Sequence, residues 1–285
     1  DQTSSTQWHT VNFSAEIANA VIKLSINSTN DSDPVTLRVR NVTDTGFEWQ
    51  IDEWDYLDGV HGTETISWLA VAAGTHTLED GTVIQAGTTT ATGTGSNSGP
   101  NVNVTFGSAF GSAPVVMSQV MTANGPEAVA LHNENRTATG FRLHMEEEEG
   151  GDYVHATETV GWIAIDNGGS VANGLVVGET ANNVQSQAEA TRTINFGGSF
   201  GSAPVVLIDT QTENGGDTQI SRGLNLTTSS IDVFIEEEQS ANAETNHVNE
   251  TVGYFAINAG VTYDSDVGTR NDTLYGGDGL DTLYG

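Results

Sequence analysis

One segment occurs three times in this sequence, and each copy lies near the end of a stretch of about 90 residues. The copies read HGTETISWLAV from His61, HATETVGWIAI from His155 and HVNETVGYFAI from His247. A period of this length exceeds that of solenoid repeats and suits a small domain. The sequence therefore predicts a tandem array of three related modules, an organisation more typical of binding than of catalysis.

Other landmarks recur in the same order within each period. Each unit opens with a similar segment, and the three copies occupy residues 11–24, 104–117 and 194–207. The second and third units resemble each other more than either resembles the first. These landmarks predict modules at residues 1–95, 96–188 and 189–267, followed by a short tail at residues 268–285.

The charge of the chain limits the classes of partner that it can bind. With 38 acidic and 8 basic residues, the net charge is -30, which argues against nucleic acid and anionic membranes. Such a charge suits a protein that binds cations, or one that must stay soluble in a salty medium. The absence of cysteine excludes disulfides and thiolate metal sites. No run approaches the roughly 20 apolar residues of a membrane span, so we predict no membrane insertion.

The local pattern predicts an all-β fold, because short β-branched or aromatic runs alternate with Gly, Asn, Thr and Ser. Phe47, Trp49 and Ile51 alternate with polar residues, as in a half-buried strand. The strand after each repeated His is apolar on both faces and is expected in the centre of a sheet. Pro114 and Pro204 suit strand starts. Each module is predicted to be an antiparallel sandwich of about six strands.

A recurring set of apolar positions resembles the H-type lectin module. In the second unit the set comprises Phe106, Phe110, Pro114, Phe141 and Trp162, and most of each unit is covered. The resemblance implies a β-sandwich that assembles as a trimer and binds sugars of the N-acetylgalactosamine type. Three linked units would then either imitate such a trimer or form a string of beads.

The tail carries a second resemblance. Residues 276–284 fit the pattern G-G-x-G-x-D-x-L-x of the RTX calcium-binding repeat in every fixed position. The resemblance implies calcium as a ligand, with Asp272, Gly277, Gly279 and Asp281 as its binding residues, and export through Gram-negative type I secretion. The alternative is a disordered acidic tail.

An acid, a His and a second acid recur in register in the three units. The first acids are Glu53, Glu147 and Glu237, the histidines are His61, His155 and His247, and the second acids are Glu64, Glu158 and Glu250. If the strands that carry them pair as neighbours, each set meets at one end of its module. Three interpretations stay open. The His and acids satisfy each other structurally, the acids and loop carbonyls hold calcium, or the cluster is a transition-metal or catalytic site.

Exposed aromatic side chains are a second route to glycan binding, because sugars stack on aromatic rings. The candidates are Trp54, Tyr56 and Tyr153. Arg38, His132 and Arg222 fall at equivalent strand positions and would either contact sugar hydroxyls or pair with the acidic surface.

Together these patterns predict an extracellular or cell-surface protein that is not an enzyme. The favoured function is a calcium-stabilised adhesion or glycan-binding array, whose partners are glycans or cell-surface polysaccharide. One alternative is a structural protein whose copies assemble with each other into a surface layer or filament. Another is the accessory, non-catalytic part of a secreted polysaccharide-degrading enzyme.

Overall fold

The computed structural model describes residues 7–93, 101–187 and 190–260, together with the backbone of residues 263–264 and 273–278. Within that part of the chain, the named elements are β-strands apart from one 3-10 turn at Val171–Asn173. The prediction of an all-β fold built from small antiparallel sheets is confirmed. Among the described residues, no helix is long and apolar enough to cross a membrane.

The strands fall into three groups of five, each followed by a hairpin. The first module contains β1 (His9–Asn12), β2 (Ala20–Ile26), β3 (Val35–Thr43), β4 (Gly46–Glu53) and β5 (Ile66–Ala72), and the next hairpin is β6 (Gly74–Thr77) and β7 (Val83–Ala91). The second module contains β8 (Val102–Thr105), β9 (Val115–Val120), β10 (Val129–Thr137), β11 (Gly140–Glu147) and β12 (Glu158–Ile165), and the next hairpin is β13 (Gly168–Ser170) and β14 (Leu175–Glu179). The third module contains β15 (Arg192–Asn195), β16 (Val205–Thr210), β17 (Gln219–Leu224), β18 (Ser230–Glu237) and β19 (Val252–Ile257), and the last hairpin is β20 (Tyr263–Asp264) and β21 (Thr273–Asp278).

Each module is a sandwich of two antiparallel sheets. The smaller sheets have three strands, with the acid-bearing strand in the middle, in the orders β1-β4-β3, β10-β11-β8 and β15-β18-β17. The larger sheets have four strands, in the orders β2-β5-β21-β20, β6-β7-β12-β9 and β13-β14-β19-β16. In the second module, Phe106, Phe141 and Trp162 pack between the two sheets, with Phe141 and Trp162 edge to face at 6.1 Å.

The hairpin that completes each larger sheet comes from the preceding part of the chain. Strand β7 follows the first module but pairs with β12 of the second, and β14 follows the second module but pairs with β19 of the third. Strand β21 follows the third module and pairs with β5 of the first, where Gly277 lies opposite Trp68. The three modules therefore form a closed ring, in which each receives a hairpin from its predecessor.

The donated hairpins give each sandwich seven strands, where the sequence predicts about six. The strand after each repeated His is an interior strand of its larger sheet, as predicted. Pro114 and Pro204 directly precede β9 and β16, which confirms that both prolines mark strand starts.

The larger sheets also pack against one another at the centre of the ring. One hydrophobic cluster includes Val21, Met117 and Leu207, which come from the three different modules. Side-chain amides cross between modules at the same place. Gln119 Nε2 donates to the carbonyl of Leu37 at 2.8 Å, and Gln211 Nε2 donates to the carbonyl of Val116 at 2.6 Å. The three units therefore share a common centre and do not form a string of beads.

Contact between modules also corrects the expectation of half-buried acid strands. In β4, the polar residues Gln50 and Asp52 are buried, and in β11 His144 and Glu146 are 1% exposed. These residues lie on the face that points away from their own sandwich, where the neighbouring module covers them. Strand alternation reports burial within one module and does not reveal a second layer contributed by another.

Candidate functional site

The acid, His and acid of each repeat come together, although the reason differs from the one the sequence predicts. Strands β4 and β5 belong to different sheets of one sandwich, so the two strands do not pair, and the condition considered above is not met. The connecting loop instead crosses the end of the sandwich and returns the His beneath the first acid. His61, His155 and His247 are at most 3% exposed, and each contacts both of its acids.

The second acid of each cluster holds a loop in place. In the second module, Glu158 Oε1 accepts hydrogen bonds from the backbone amides of Asn124 at 2.7 Å and Gly125 at 2.9 Å. It also lies 3.1 Å from His155 Nε2, and Thr122 donates to its other oxygen. Burial alone would raise the pKa of Glu158, but these bonds outweigh it and lower the pKa to about 2.

The same arrangement recurs in the other two modules. Ser28 and Asn30 bind Glu64, and Thr212 and Asn214 bind Glu250. Against the effect of burial, hydrogen bonds lower the pKa of Glu64 to about 2 and also lower that of Glu250. The contacts match the structural interpretation of the second acids, and a calcium role for them stays a prediction.

The first acids differ between modules in how closely they approach the His. His247 Nδ1 and Glu237 Oε1 are 2.6 Å apart, which is a short hydrogen bond. In the second module the corresponding distance, from His155 to Glu147, is 3.3 Å, and in the first module the distance from His61 is 3.5 Å. Neither of the two longer contacts is a hydrogen bond, and the facing atoms are buried without a partner. The third cluster is closed, whereas the first two are open.

Arg38, His132 and Arg222 lie at the joints between modules. Arg38 of the first module donates to the carbonyls of Gly125 and Glu127 in the second, both at 2.7 Å. Arg222 of the third module donates to Glu64 of the first at 2.5 Å. The three residues are at most 2% exposed, so the structure favours the pairing interpretation over contact with sugar.

The joint between the second and third modules has histidines where the other two joints have arginine. His132 Nε2 lies 3.1 Å from Glu146 Oε2, and His144 Nδ1 lies 3.1 Å from Glu213 Oε1. Burial opposes a charge on His132, but the charge of Glu146 outweighs it and raises the pKa of His132. The charge of His132 therefore depends on pH, whereas the arginines at the other two joints stay charged.

Acids from two modules crowd together where the loops at this end meet. The backbone amide of Glu149 donates to Glu238 Oε1 at 2.8 Å, and that of Thr218 donates to Glu149 Oε1 at 3.3 Å. Burial, together with the hydrogen bond and charge of Asp217, raises the pKa of Glu149 to about 7. A carboxyl group with so high a pKa marks a place where negative charge is poorly compensated.

The aromatic candidates fall into two groups. Trp54 is 2% exposed and packs against Ala128 and Ala130 of the second module, so the expectation that it is an exposed stacking surface is wrong. Tyr56 and Tyr153 are 39% and 41% exposed and lie in the loops at the cluster end of the sandwiches. These two tyrosines stay candidates for glycan contact.

The tail candidates are described only in part. Gly277 lies in β21, within the sheet of the first module. Asp272, Gly279 and Asp281 lie outside the described residues. A calcium role for these four residues stays a prediction.

Sequence reasoning missed a third acid that approaches two of the clusters. Ligand atoms of Glu127 lie near those of Glu147 and His155, and Asp217 is placed similarly beside Glu237 and His247. The signal that identifies them is an acid two residues before each of β3, β10 and β17, at Asp33, Glu127 and Asp217. It escapes attention because the residues around it are not repeated.

Comparison with known proteins finds one relevant similarity. The chain is 36% identical to halomucin of Haloquadratum walsbyi over 241 residues. The aligned region covers 83% of this chain but only 2% of halomucin. No family model matches the chain, and no solved structure matches it.

Proposed function

We propose that this chain is a non-enzymatic building block of an extracellular or cell-surface protein, in which three modules act as one interlocked unit. The observation that carries the proposal is the exchange of hairpins around the ring. Because β7, β14 and β21 each complete the sheet of another module, no module can leave the ring without breaking backbone hydrogen bonds. Such a unit resists separation of its parts, a property suited to a surface exposed to its surroundings.

The halomucin similarity and the charge support this proposal. The aligned region is a small share of halomucin, which fits one unit within a much longer surface protein. The net charge of -30 favours solubility, and dissolved salt screens the resulting self-repulsion. A surface unit that works in a salty medium accounts for both observations.

We further propose that calcium binds to the unit and stabilises it. Glu149, Asp217 and Glu238 crowd together at the cluster end, and burial together with these neighbouring acids raises the pKa of Glu149. A cation bound between these acids would relieve the repulsion between them, and calcium prefers such carboxylate oxygens. We therefore expect calcium to stabilise the unit without being required for its fold.

Glycan binding is the second candidate function, and the tyrosines favour it. Tyr56 and Tyr153 are partly exposed, and Val154 beside Tyr153 is 72% exposed. An aromatic ring next to an apolar side chain and a rim of acids is a surface on which a sugar can stack. Three further predictions from the sequence stay predictions. They are assembly between copies of the chain, an accessory role in a polysaccharide-degrading enzyme and type I secretion.

The experiment that tests the proposal compares the purified chain in a calcium chelator and in millimolar calcium, at low and at molar sodium chloride. Light scattering gives the mass, and urea unfolding gives the free energy of unfolding. We expect a folded monomer under all four conditions, with higher stability in salt and in calcium. Unfolding in the chelator would contradict an interlocked unit that folds by itself, and growth into large particles would favour the assembly alternative.

A glycan array on the same protein separates the second candidate from the first. The variants Tyr56→Ala and Tyr153→Ala remove the candidate stacking surfaces, and Tyr263→Ala is a control because it replaces a tyrosine of the donated hairpin β20. Saturable binding that is lost in the first two variants and kept in the third would assign an adhesion role. If the parent protein bound no glycan, the structural role would remain as the single candidate function.

A further inference from the structure

The His155 cluster, unlike that of the third module, has two facing ligand atoms without a partner. The side chains of His155 and Glu147 are 0% and 1% exposed. Nevertheless His155 Nδ1 and Glu147 Oε1 make no hydrogen bond with each other or with any other group. Polar atoms that stay unpaired in the interior destabilise a protein, so their arrangement points to a ligand between them.

A third ligand atom completes this arrangement. Glu127 Oε2 lies 3.4 Å from His155 Nδ1, and Glu147 Oε1 lies 3.3 Å from the same nitrogen. Ligands at 2.0–2.1 Å from a tetrahedral zinc ion stand about 3.3 Å apart. Both distances therefore fit two edges of a tetrahedron around one ion. The Glu127 side chain is 35% exposed, which gives an ion access and leaves a fourth position for water.

The surroundings hold the imidazole as a metal ligand requires. A Cβ atom at Gly93 or Gly125 would come within 2.6 Å of the His155 side chain, so the two glycines clamp it. On the far side of the ring, Nε2 lies 3.1 Å from Glu158 Oε1. A carboxylate bound to the second nitrogen fixes the tautomer and strengthens the first nitrogen as a ligand, as in carboxylate–histidine–zinc sites.

The third module provides an internal comparison. Asp217, Glu237 and His247 occupy the equivalent positions, but His247 Nδ1 and Glu237 Oε1 are already joined by a 2.6 Å hydrogen bond. A metal would have to break that bond. In the second module the equivalent pair is open.

We propose that Glu127, Glu147 and His155 bind one divalent transition-metal ion of the zinc class. One nitrogen and two carboxylate oxygens suit zinc or cobalt, whereas calcium requires six to eight oxygens. The carbonyl of Glu127 also accepts a hydrogen bond from Arg38 of the first module at 2.7 Å. The ion would therefore fasten the loop on which the first module docks.

The test uses the full chain after removal of metals with a chelator, in molar sodium chloride and excess calcium to suppress diffuse binding to the acidic surface. Cobalt(II) is the probe, because the intensity of its visible absorption distinguishes tetrahedral from octahedral coordination. We expect one equivalent of cobalt to bind with a tetrahedral spectrum and to be displaced by zinc. The melting temperature should rise with metal, since an ion that binds only the folded state stabilises it.

Three variants make the test specific. Glu127→Gln removes a partly exposed ligand and should weaken cobalt binding by roughly tenfold or more. Asp152→Asn removes a nearby charge but no ligand, and Asp33→Asn alters the equivalent acid of the first module. Neither control should change the affinity. Absence of one-equivalent binding in the presence of excess calcium, or equal losses in all three variants, would each overturn the proposal.

Discussion

Lys23 Nζ of the first module lies 2.9 Å from Asp209 Oδ2 of the third, and both side chains are 10% exposed. The same carboxylate oxygen accepts hydrogen bonds from the backbone of Ser118 at 2.8 Å and from Asn133 Nδ2 at 3.1 Å, both in the second module. One carboxylate thus joins all three modules, and it is paired with the only lysine of the chain. The centre of the ring depends on this buried ion pair.

Replacing Lys23 with methionine should destabilise the whole ring. Met117 occupies the equivalent place in the second module, since it lies opposite Ile163 as Lys23 lies opposite Leu69, so the substitution suits the local packing. It nevertheless leaves Asp209 as a buried charge without a cation, and removal of one partner from such a pair costs about 3–5 kcal/mol. Urea unfolding of Lys23→Met against the parent measures this loss.

The double variant Lys23→Met with Asp209→Asn is the matched control. It removes both charges while an amide keeps much of the hydrogen bonding to Ser118. We expect the double variant to recover a substantial part of the lost free energy, because no uncompensated charge remains. If Lys23→Met instead unfolded in separate steps, module by module, with the midpoint of the parent unchanged, the modules would not share a centre.

Stability should decrease as the pH rises above neutrality because of His247. Burial opposes its charge, but hydrogen bonds to Glu237 and Glu250 outweigh burial and raise the pKa of His247 to about 9 from 6.5. A group whose pKa is raised by folding stabilises fully below the unfolded value and loses that effect as the pH passes its folded value. Between pH 6.5 and 9 we expect a loss on the order of 2 kcal/mol, measured by urea unfolding.

The double variant His247→Gln with Glu237→Gln removes the titrating pair without leaving a lone charge. Its unfolding free energy should change less over the same pH range than that of the parent. Identical slopes in the two proteins would assign the pH dependence to other groups, of which His132 at the joint between modules is the first candidate.

The repeats allow the sequence to predict the clusters, because spacing within a module is preserved in all three copies. The sets around His61, His155 and His247 form as the register implies. Alternation and turn residues likewise suffice to predict the strands, since both are local properties. Whatever depends on one module alone could therefore be predicted.

The ring could not be predicted, because the partner of a strand is not encoded in the strand itself. The sequence of β7 (Val83–Ala91) suits the sheet of its own module as well as that of the next. Arg38 shows the same limit, since its partners are carbonyls of a loop about 90 residues away. Burial of Trp54 against the second module is a further consequence.

Glu158→Gln should destabilise the protein by about 2–4 kcal/mol at neutral pH. The carboxylate accepts two backbone amides and lies 3.6 Å from Arg38 Nη2, so the neutral amide loses several charged hydrogen bonds. The lowered pKa of Glu158 determines how this loss depends on pH. The stabilising effect of the Glu158 carboxylate is complete above pH 4.5 and is lost as the pH falls to about 2, where parent and variant should converge. Glu48→Gln, at an exposed pair with Arg40, is the control and should have little effect. A difference that stays constant down to pH 2 would contradict the assignment.

Removal of residues 261–285 should open the ring at the first module. Strand β5 would keep β2 as a neighbour but lose β21, which leaves the backbone groups of an interior strand unpaired. An exposed edge of this kind pairs readily with another chain, so we expect lower stability and concentration-dependent association by light scattering.

Removal of residues 279–285 alone is the control, because it keeps every pair between β21 and β5. The shorter deletion should behave as the full chain does. It also tests the calcium binding predicted for the tail, because it deletes Gly279 and Asp281. A calcium effect lost in this control would belong to those residues, whereas a monomeric and equally stable chain ending at residue 260 would refute closure by β21.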